Sequence, residues 1–367
     1  MNNIPDLMTM LCGAKVKDKE TWEKYRREEI LMLLREYAFG IRDIERPEGL
    51  KFELKNERVE YGMRVKELEG GFGSYAFPFR LYLPEKSESK VPVIIYVAHE
   101  NMERSFEFDE NGNMRSEKTE SDLPLKYITD RGYGVAFMPT HGITPDWHFK
   151  TNFTQGVFSI VKPAGGRKDN SWATLSAWAW GVSRVVDYLE TDEDVDEKRI
   201  AVTGHSRSGK AALWAGVEDT RILLTIPNNT GCMGAALLRG KRGEHLKEIN
   251  ISDWFCGNCH KYNDNEDIYP IDMHMLLAAA APRYLYITGS EEDEWADPDA
   301  EFRAARLASA AYELYGVKGL CAPESGAVTG EVYNEGRIAF HVKPGDHSMT
   351  MYDWENVIDY FDGIEIE

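Results

Sequence analysis

Three side chains of the right types stand in the order that acyl-transfer chemistry needs. The run Ala201-Val202-Thr203-Gly204-His205-Ser206-Arg207-Ser208-Gly209-Lys210 passes from apolar residues into a glycine-serine turn, then into the helix-forming Ala211-Ala212-Leu213-Trp214. This strand, turn, helix context is that of a nucleophile elbow of the Gly-x-Ser-x-Gly kind, with glycines two before and three after Ser206, which let strand and helix approach closely. In such folds the acid follows a late strand, and the histidine lies in a loop near the C-terminus. The carboxylate-rich loop Glu291-Glu292-Asp293-Glu294-Trp295-Ala296-Asp297 supplies the acid, with Asp293 the first choice and Glu292, Glu294 and Asp297 its rivals. His347, after the turn Pro344-Gly345-Asp346, is the base, and His341 sits inside the preceding alternating strand. Ser206 would attack an ester carbonyl while His347 takes its proton and the carboxylate fixes the imidazole tautomer. The backbone N–H of Arg207 is the first oxyanion donor, and the Arg207 guanidinium can add positive charge there. A second donor is expected near His99-Glu100-Asn101, where no His-Gly-Gly-Gly signature is present.

These groups need a sheet to hold them. Val91 to Ala98, Gly134 to Met138, Arg199 to Thr203, Leu223 to Ile226 and Tyr284 to Thr288 are short, β-branched apolar runs, as in strands covered on both faces. Helical stretches such as Trp172 to Leu189 separate them, so the expected fold class is α/β, a doubly wound and mostly parallel sheet with cleft-forming insertions at residues 99–125, 145–171 and 239–270. Leu50 to Leu83 alternates and is rich in glycine turns, which predicts antiparallel strands. Residues 18 to 40 form an amphipathic surface helix closed by Gly40. The expected organisation is an N-terminal helical extension, residues 1–50, and one catalytic domain, residues 51–367.

Composition narrows the partners. The chain has 367 residues, 43% of them hydrophobic, which is enough for one large core. A net charge of −19 disfavours nucleic acid and anionic membranes as partners. Nine Trp and eighteen Tyr suit a cleft that stacks on ring-shaped ligands. Neither a basic, apolar leader nor a membrane-length apolar run is visible, which reads as cytoplasmic. Five cysteines at irregular spacing fit reduced thiols. Cys256-Gly257-Asn258-Cys259-His260 spells a haem-attachment pentad and a zinc half-site, but its context fits two buried thiols better. Asp272 and His274 read as a buried hydrogen-bonded pair, and no metal or cofactor is expected.

The elbow Gly204-His205-Ser206-Arg207-Ser208-Gly209-Lys210 is similar to the Gly-Cys-Ser-Arg-x-Gly-Lys elbow of glucuronoyl esterases. Ala177-Trp178-Ala179-Trp180-Gly181-Val182-Ser183-Arg184, Leu224-Thr225-Ile226-Pro227 with Thr230-Gly231, and Asp272-x-His274 leading to Ala281-Pro282-Arg283 resemble that family too. It looks closest to the family's bacterial relatives labelled acetyl xylan esterase-like. The resemblance spans residues 90 to 355 and implies the α/β-hydrolase fold and hydrolysis of a 4-O-methylglucuronate ester. It implies Ser206 as nucleophile, His347 as base, Arg207 as oxyanion stabiliser, Lys210 and Trp295 as sugar contacts, and Glu244 as a further contact. The chain departs from the family where Pro227-Asn228-Asn229-Thr230-Gly231 carries no carboxylate, which sends the search for the acid to the Asp293 loop. Alternatives are deacetylation of an acetylated xylo-oligosaccharide by the same triad, and a non-catalytic carbohydrate-binding relative.

Overall fold

The computed structural model describes residues 4–99, 106–116, 122–146, 153–250 and 252–366. Its strands are β1 Lys51–Glu60, β2 Met63–Phe72, β3 Tyr75–Pro84, β4 Val91–Ala98, β5 Phe106–Phe108, β6 Met114–Ser116, β7 Asp122–Leu123, β8 Gly134–Pro139, β9 Val195–His205, β10 Leu224–Asn228, β11 Tyr284–Ser290, β12 Val332–Tyr333 and β13 Ile338–Lys343. Ten of them form one sheet in the order β1-β2-β3-β8-β4-β9-β10-β11-β13-β12, while β5, β6 and β7 form a small separate sheet. The pairings from β8 through β13 are parallel, and β1, β2, β3 and β12 are antiparallel additions at the edges. This is the doubly wound α/β arrangement that the apolar runs predict.

The sheet separates two apolar layers, and strand alternation assigns each side chain to one of them. Val93, Ile95 and Val97 of β4 face a layer that includes the helices Thr174–Leu189, Arg207–Glu218, Met273–Ala278 and Pro298–Glu313. Ile94, Tyr96 and Ala98 face the other layer, which the helices Leu125–Asp130 and Met351–Asp362 cover. Thr174–Leu189 is buried nearly all round because the sheet lies on one side and the helix Arg207–Glu218 packs along it, with the Glu45 carbonyl accepting from Trp180 Nε1 and Arg184 Nη1.

The N-terminal segment has the amphipathic helical character that the sequence predicts. Lys19–Phe39 alternates α-helical and π-helical turns, and Trp22, Ile30, Leu31, Leu34 and Phe39 are buried in the first apolar layer. Phe39 stacks on Trp214 with ring centroids 4.4 Å apart, and Arg27 donates to the carbonyls of Ala279 and Val217. Gly40 ends the segment at φ 85°, where a Cβ would lie 2.4 Å from Trp172 Cα, so no other residue fits.

Candidate functional site

β9 delivers Ser206 to the carboxyl end of the parallel strands, the usual place for a site in an open α/β sheet. Ser206 stands at φ 58° and ψ −127°, a conformation that a residue with a Cβ adopts only under strain. Its N–H donates to the Asn228 carbonyl at 2.9 Å, and its carbonyl accepts from Lys210 N at 3.1 Å, so both sides of the turn are pinned. The second glycine of the elbow is Gly209, because position 208 is serine. A Cβ at Gly204 would lie 2.6 Å from the Ser208 carbonyl carbon, and one at Gly209 would lie 2.6 Å from the Gly204 oxygen. Strand and helix touch backbone to backbone there.

His347 leaves β13 and meets the acidic loop after β11. Its Nδ1 lies 2.5 Å from Asp293 Oδ2, with the carboxylate 3% exposed and the imidazole 41% exposed. Asp293 Oδ1 accepts from Ala296 N at 3.1 Å, which fixes the carboxylate plane. Its rivals are occupied or point away. Glu292 and Glu294 are exposed. Asp297 caps the helix Pro298–Glu313 through Ala300 N and accepts from Arg242 N. Asn229, at the position without a carboxylate, adopts φ 46° and donates from Nδ2 to Ser290 Oγ at 2.9 Å. Among the described residues neither Ser206 Oγ nor His347 Nε2 has a hydrogen-bond partner, a common state of catalytic groups before substrate draws them together. The His347 ring packs on that of His205, the residue before Ser206, at 4.4 Å between centroids.

His205 is buried, with Nδ1 2.6 Å from Asn228 Oδ1, and burial pushes its pKa down to about 3. It therefore stays neutral beside His347. His341 is engaged at both nitrogens, with Nε2 3.0 Å from Asp353 and Nδ1 3.0 Å from the Tyr286 hydroxyl. It belongs to the sealed interior, as its place in β13 predicts.

A wall of ion pairs borders the elbow. Arg207 Nη1 donates to Asp146 Oδ2 at 2.8 Å, and its guanidinium lies 4.9 Å from the Trp254 ring centroid. Lys210, 3% exposed, points from the same helix face. Its Nζ donates to Glu244 Oε2 at 3.0 Å and lies 5.6 Å from the Trp254 ring centroid. Glu244 Oε1 in turn accepts from Trp295 Nε1 at 3.0 Å, and Trp295 keeps 56% of its surface exposed. The structure thus brings Lys210, Glu244 and Trp295 into one chain of contacts. Asp146 and Trp254 carry no signal in the sequence, because they come from separate insertions and meet Arg207 only in the folded chain.

Glu100 and Asn101, in the stretch expected to hold the second oxyanion donor, lie outside the described residues. His99 is half-buried, with Nδ1 3.4 Å from Ser208 Oγ, and desolvation pushes its pKa down to about 3. Cys256 and Cys259 are buried thiols raised by burial to about 11 and about 12. Asp272 and His274 are not bonded to each other. Asp272 caps its helix and accepts from Leu238 N and Arg239, while His274 Nε2 meets the Pro5 carbonyl, so the expected pair is replaced by two separate anchors. Among the described residues no group of three or more His, Cys, Asp or Glu is gathered for a metal ion.

Known proteins resemble this chain in sequence and in fold. A family model described as "Glucuronyl esterase, fungi" matches residues 166–316, a span that includes the elbow and the Asp293 loop and ends before His347. A glucuronoyl esterase from Solibacter usitatus superposes with a TM-score of 0.88 at 32% identity, covering 98% of this chain and 97% of that one. The chain belongs to the glucuronoyl esterase family. It is therefore a carboxylic ester hydrolase with an α/β-hydrolase fold. A carbohydrate esterase from an unknown prokaryotic organism is 36% identical over 98% of this chain and 89% of its own length. A promiscuous esterase of carbohydrate esterase family 15 from a marine bacterial metagenome matches at TM-score 0.86 and 34% identity, covering 99% of this chain and 97% of its own. The 4-O-methyl-glucuronoyl methylesterase of Schizophyllum commune is 35% identical over 86% of this chain and 74% of its own length.

Proposed function

We propose that this esterase cleaves the ester of a 4-O-methylglucuronate residue, with Ser206 as nucleophile, His347 as general base and Asp293 as its orienting acid. The observation that carries the reading is the carboxylate-held imidazole beside a strained serine, with the paired cation Lys210 one helical turn on. Asp293 at Nδ1 leaves Nε2 of His347 as the basic nitrogen, which takes the Ser206 proton as Oγ attacks the ester carbonyl. The oxyanion of the tetrahedral intermediate meets the Arg207 N–H at the helix start and the charge of the Arg207 guanidinium. Its collapse expels the alcohol, protonated by His347, and leaves a uronoyl ester on Ser206. Water activated by the same imidazole then attacks that ester and releases the uronate.

The substrate class follows from the wall beside the elbow. Lys210 and Glu244 present a donor and acceptors to sugar hydroxyls, and the exposed Trp295 face can stack on a pyranose ring. Benzyl glucuronate and 4-nitrophenyl acetate, assayed side by side with Ser206→Ala as control, test the reading. Turnover of the glucuronate ester that vanishes in Ser206→Ala supports it. Turnover of the acetate alone would replace it with deacetylation, and turnover of neither would leave a carbohydrate-binding relative.

A further inference from the structure

The carboxyl ends of four parallel strands carry an unusual row of buried polar side chains. His205 of β9, Asn228 of β10, Thr288 of β11 and His341 of β13 are in register with one another, and Ser290 and Lys343 pair two residues further on. Alternation puts all six on the face covered by the helix Met351–Asp362. His205, Asn228 and His341 connect to Asp353 of that helix, through Asn228 Nδ2 at 3.4 Å and His341 Nε2 at 3.0 Å.

Lys343 is different, for it is a buried ammonium, 2% exposed, with no ion pair among the described residues. Its three donors are spent on neutral groups. Nζ lies 2.6 Å from Ser290 Oγ, 3.3 Å from Ser348 Oγ and 3.4 Å from the Asp346 carbonyl. Ser290 opens the loop that carries Asp293, and its carbonyl accepts from Asp293 N at 3.2 Å. Asp346 and Ser348 are the two neighbours of His347 in the chain. One ammonium therefore touches both loops, and Asn229 reinforces the same hinge by donating to Ser290 Oγ.

Stability alone gives no reason for a lysine here, because burying a cation without a counter-ion is unfavourable and an apolar side chain of similar volume is usually neutral or better. We propose that Lys343 is a positioning residue, whose ammonium ties the Asp293 loop to the His347 loop and sets the geometry at which carboxylate and imidazole meet. The proposal rests on the triad reading of Ser206, His347 and Asp293. The charged and titratable groups around the ammonium are Asp293 and Asp346 on the two loops, Asp353 on the covering helix, and His341 on its own strand.

Lys343→Met is the test, with Lys343→Gln beside it, which retains two N–H donors should the methionine variant fail to fold. The expected result is a kcat on the glucuronate ester lowered between about 10- and 100-fold with KM unchanged, since misalignment of a catalytic group costs rate rather than binding. The low-field proton resonance of the His347 Nδ1 to Asp293 hydrogen bond should shift or broaden, and the Tm should hold. Unchanged kcat overturns the proposal, as does a lowered kcat with that resonance unmoved, which would make Lys343 merely structural. Asp293→Asn, measured in parallel, separates the two readings. Full activity in it removes the triad and the clamp together, whereas its collapse beside an unaffected Lys343→Met removes the clamp alone.

Discussion

Two histidine–carboxylate pairs stand near each other in this fold, and they have opposite characters. His347 and Asp293 meet at 2.5 Å with the imidazole 41% exposed, whereas His341 and Asp353 meet at 3.0 Å with both side chains 0% exposed. The sealed pair spends its second imidazole nitrogen on Tyr286, while the open pair leaves Nε2 without a partner among the described residues, as the proposed role of His347 requires. A histidine bonded to an aspartate is thus not a catalytic signature by itself. Exposure and an uncommitted nitrogen beside the strained Ser206 set the open pair apart.

Substitutions can break this contrast. Ser206→Ala should lower kcat/KM by about 10^4- to 10^6-fold without loss of fold, checked by steady-state kinetics and circular dichroism. Asp293→Asn should lower kcat by about 10^4-fold, since an amide no longer fixes the imidazole tautomer, with little change in melting temperature. Asp353→Asn should do the reverse. It weakens the buried contact with His341 Nε2 and should cost about 1–3 kcal/mol in denaturant unfolding while kcat falls little. Lys210→Met should raise KM for benzyl glucuronate about tenfold and leave 4-nitrophenyl acetate turnover near wild type, because a charge-assisted hydrogen bond contributes about 1.5–3 kcal/mol.

Acid stability sharpens the same contrast. Burial depresses His205 and His99 to about 3 and His274 to about 4, against an ordinary value of 6.5. The unfolded chain binds protons at these sites between pH 6.5 and the depressed values, and the native chain does not. Stability is therefore fully present above pH 6.5 and is lost as pH falls toward 4 and 3, by up to about 1.4 kcal/mol per pH unit for each such histidine. Urea unfolding at pH 7, 5.5 and 4.5 should show this decline, and His205→Phe should flatten part of it.

The sequence was most legible where local rules act. Strand cores, the elbow at Ser206 and the position of His347 follow from apolar runs, glycine spacing and chain order. The acidic loop made Asp293 the first choice without excluding Glu292, Glu294 and Asp297, since a turn has no periodicity to say which way each side chain points. The choice of Asp293 over Asp297 is made by helix capping at Pro298 and by the register of β11 against β13. Asp146, Trp254 and Lys343 were illegible because each acquires its role only through residues far away in the chain. The amphipathic pattern of residues 18–40 was legible as well, and its apolar residues Trp22, Ile30, Leu31 and Leu34 pack into the core.

The most direct measurement is the matched kinetic and thermal comparison of Asp293→Asn with Asp353→Asn on benzyl glucuronate. The account predicts that the first loses turnover and keeps its melting temperature, while the second keeps turnover and melts earlier. Equal losses of turnover in both, or an active Asp293→Asn enzyme, would contradict the assignment of catalysis to the open pair.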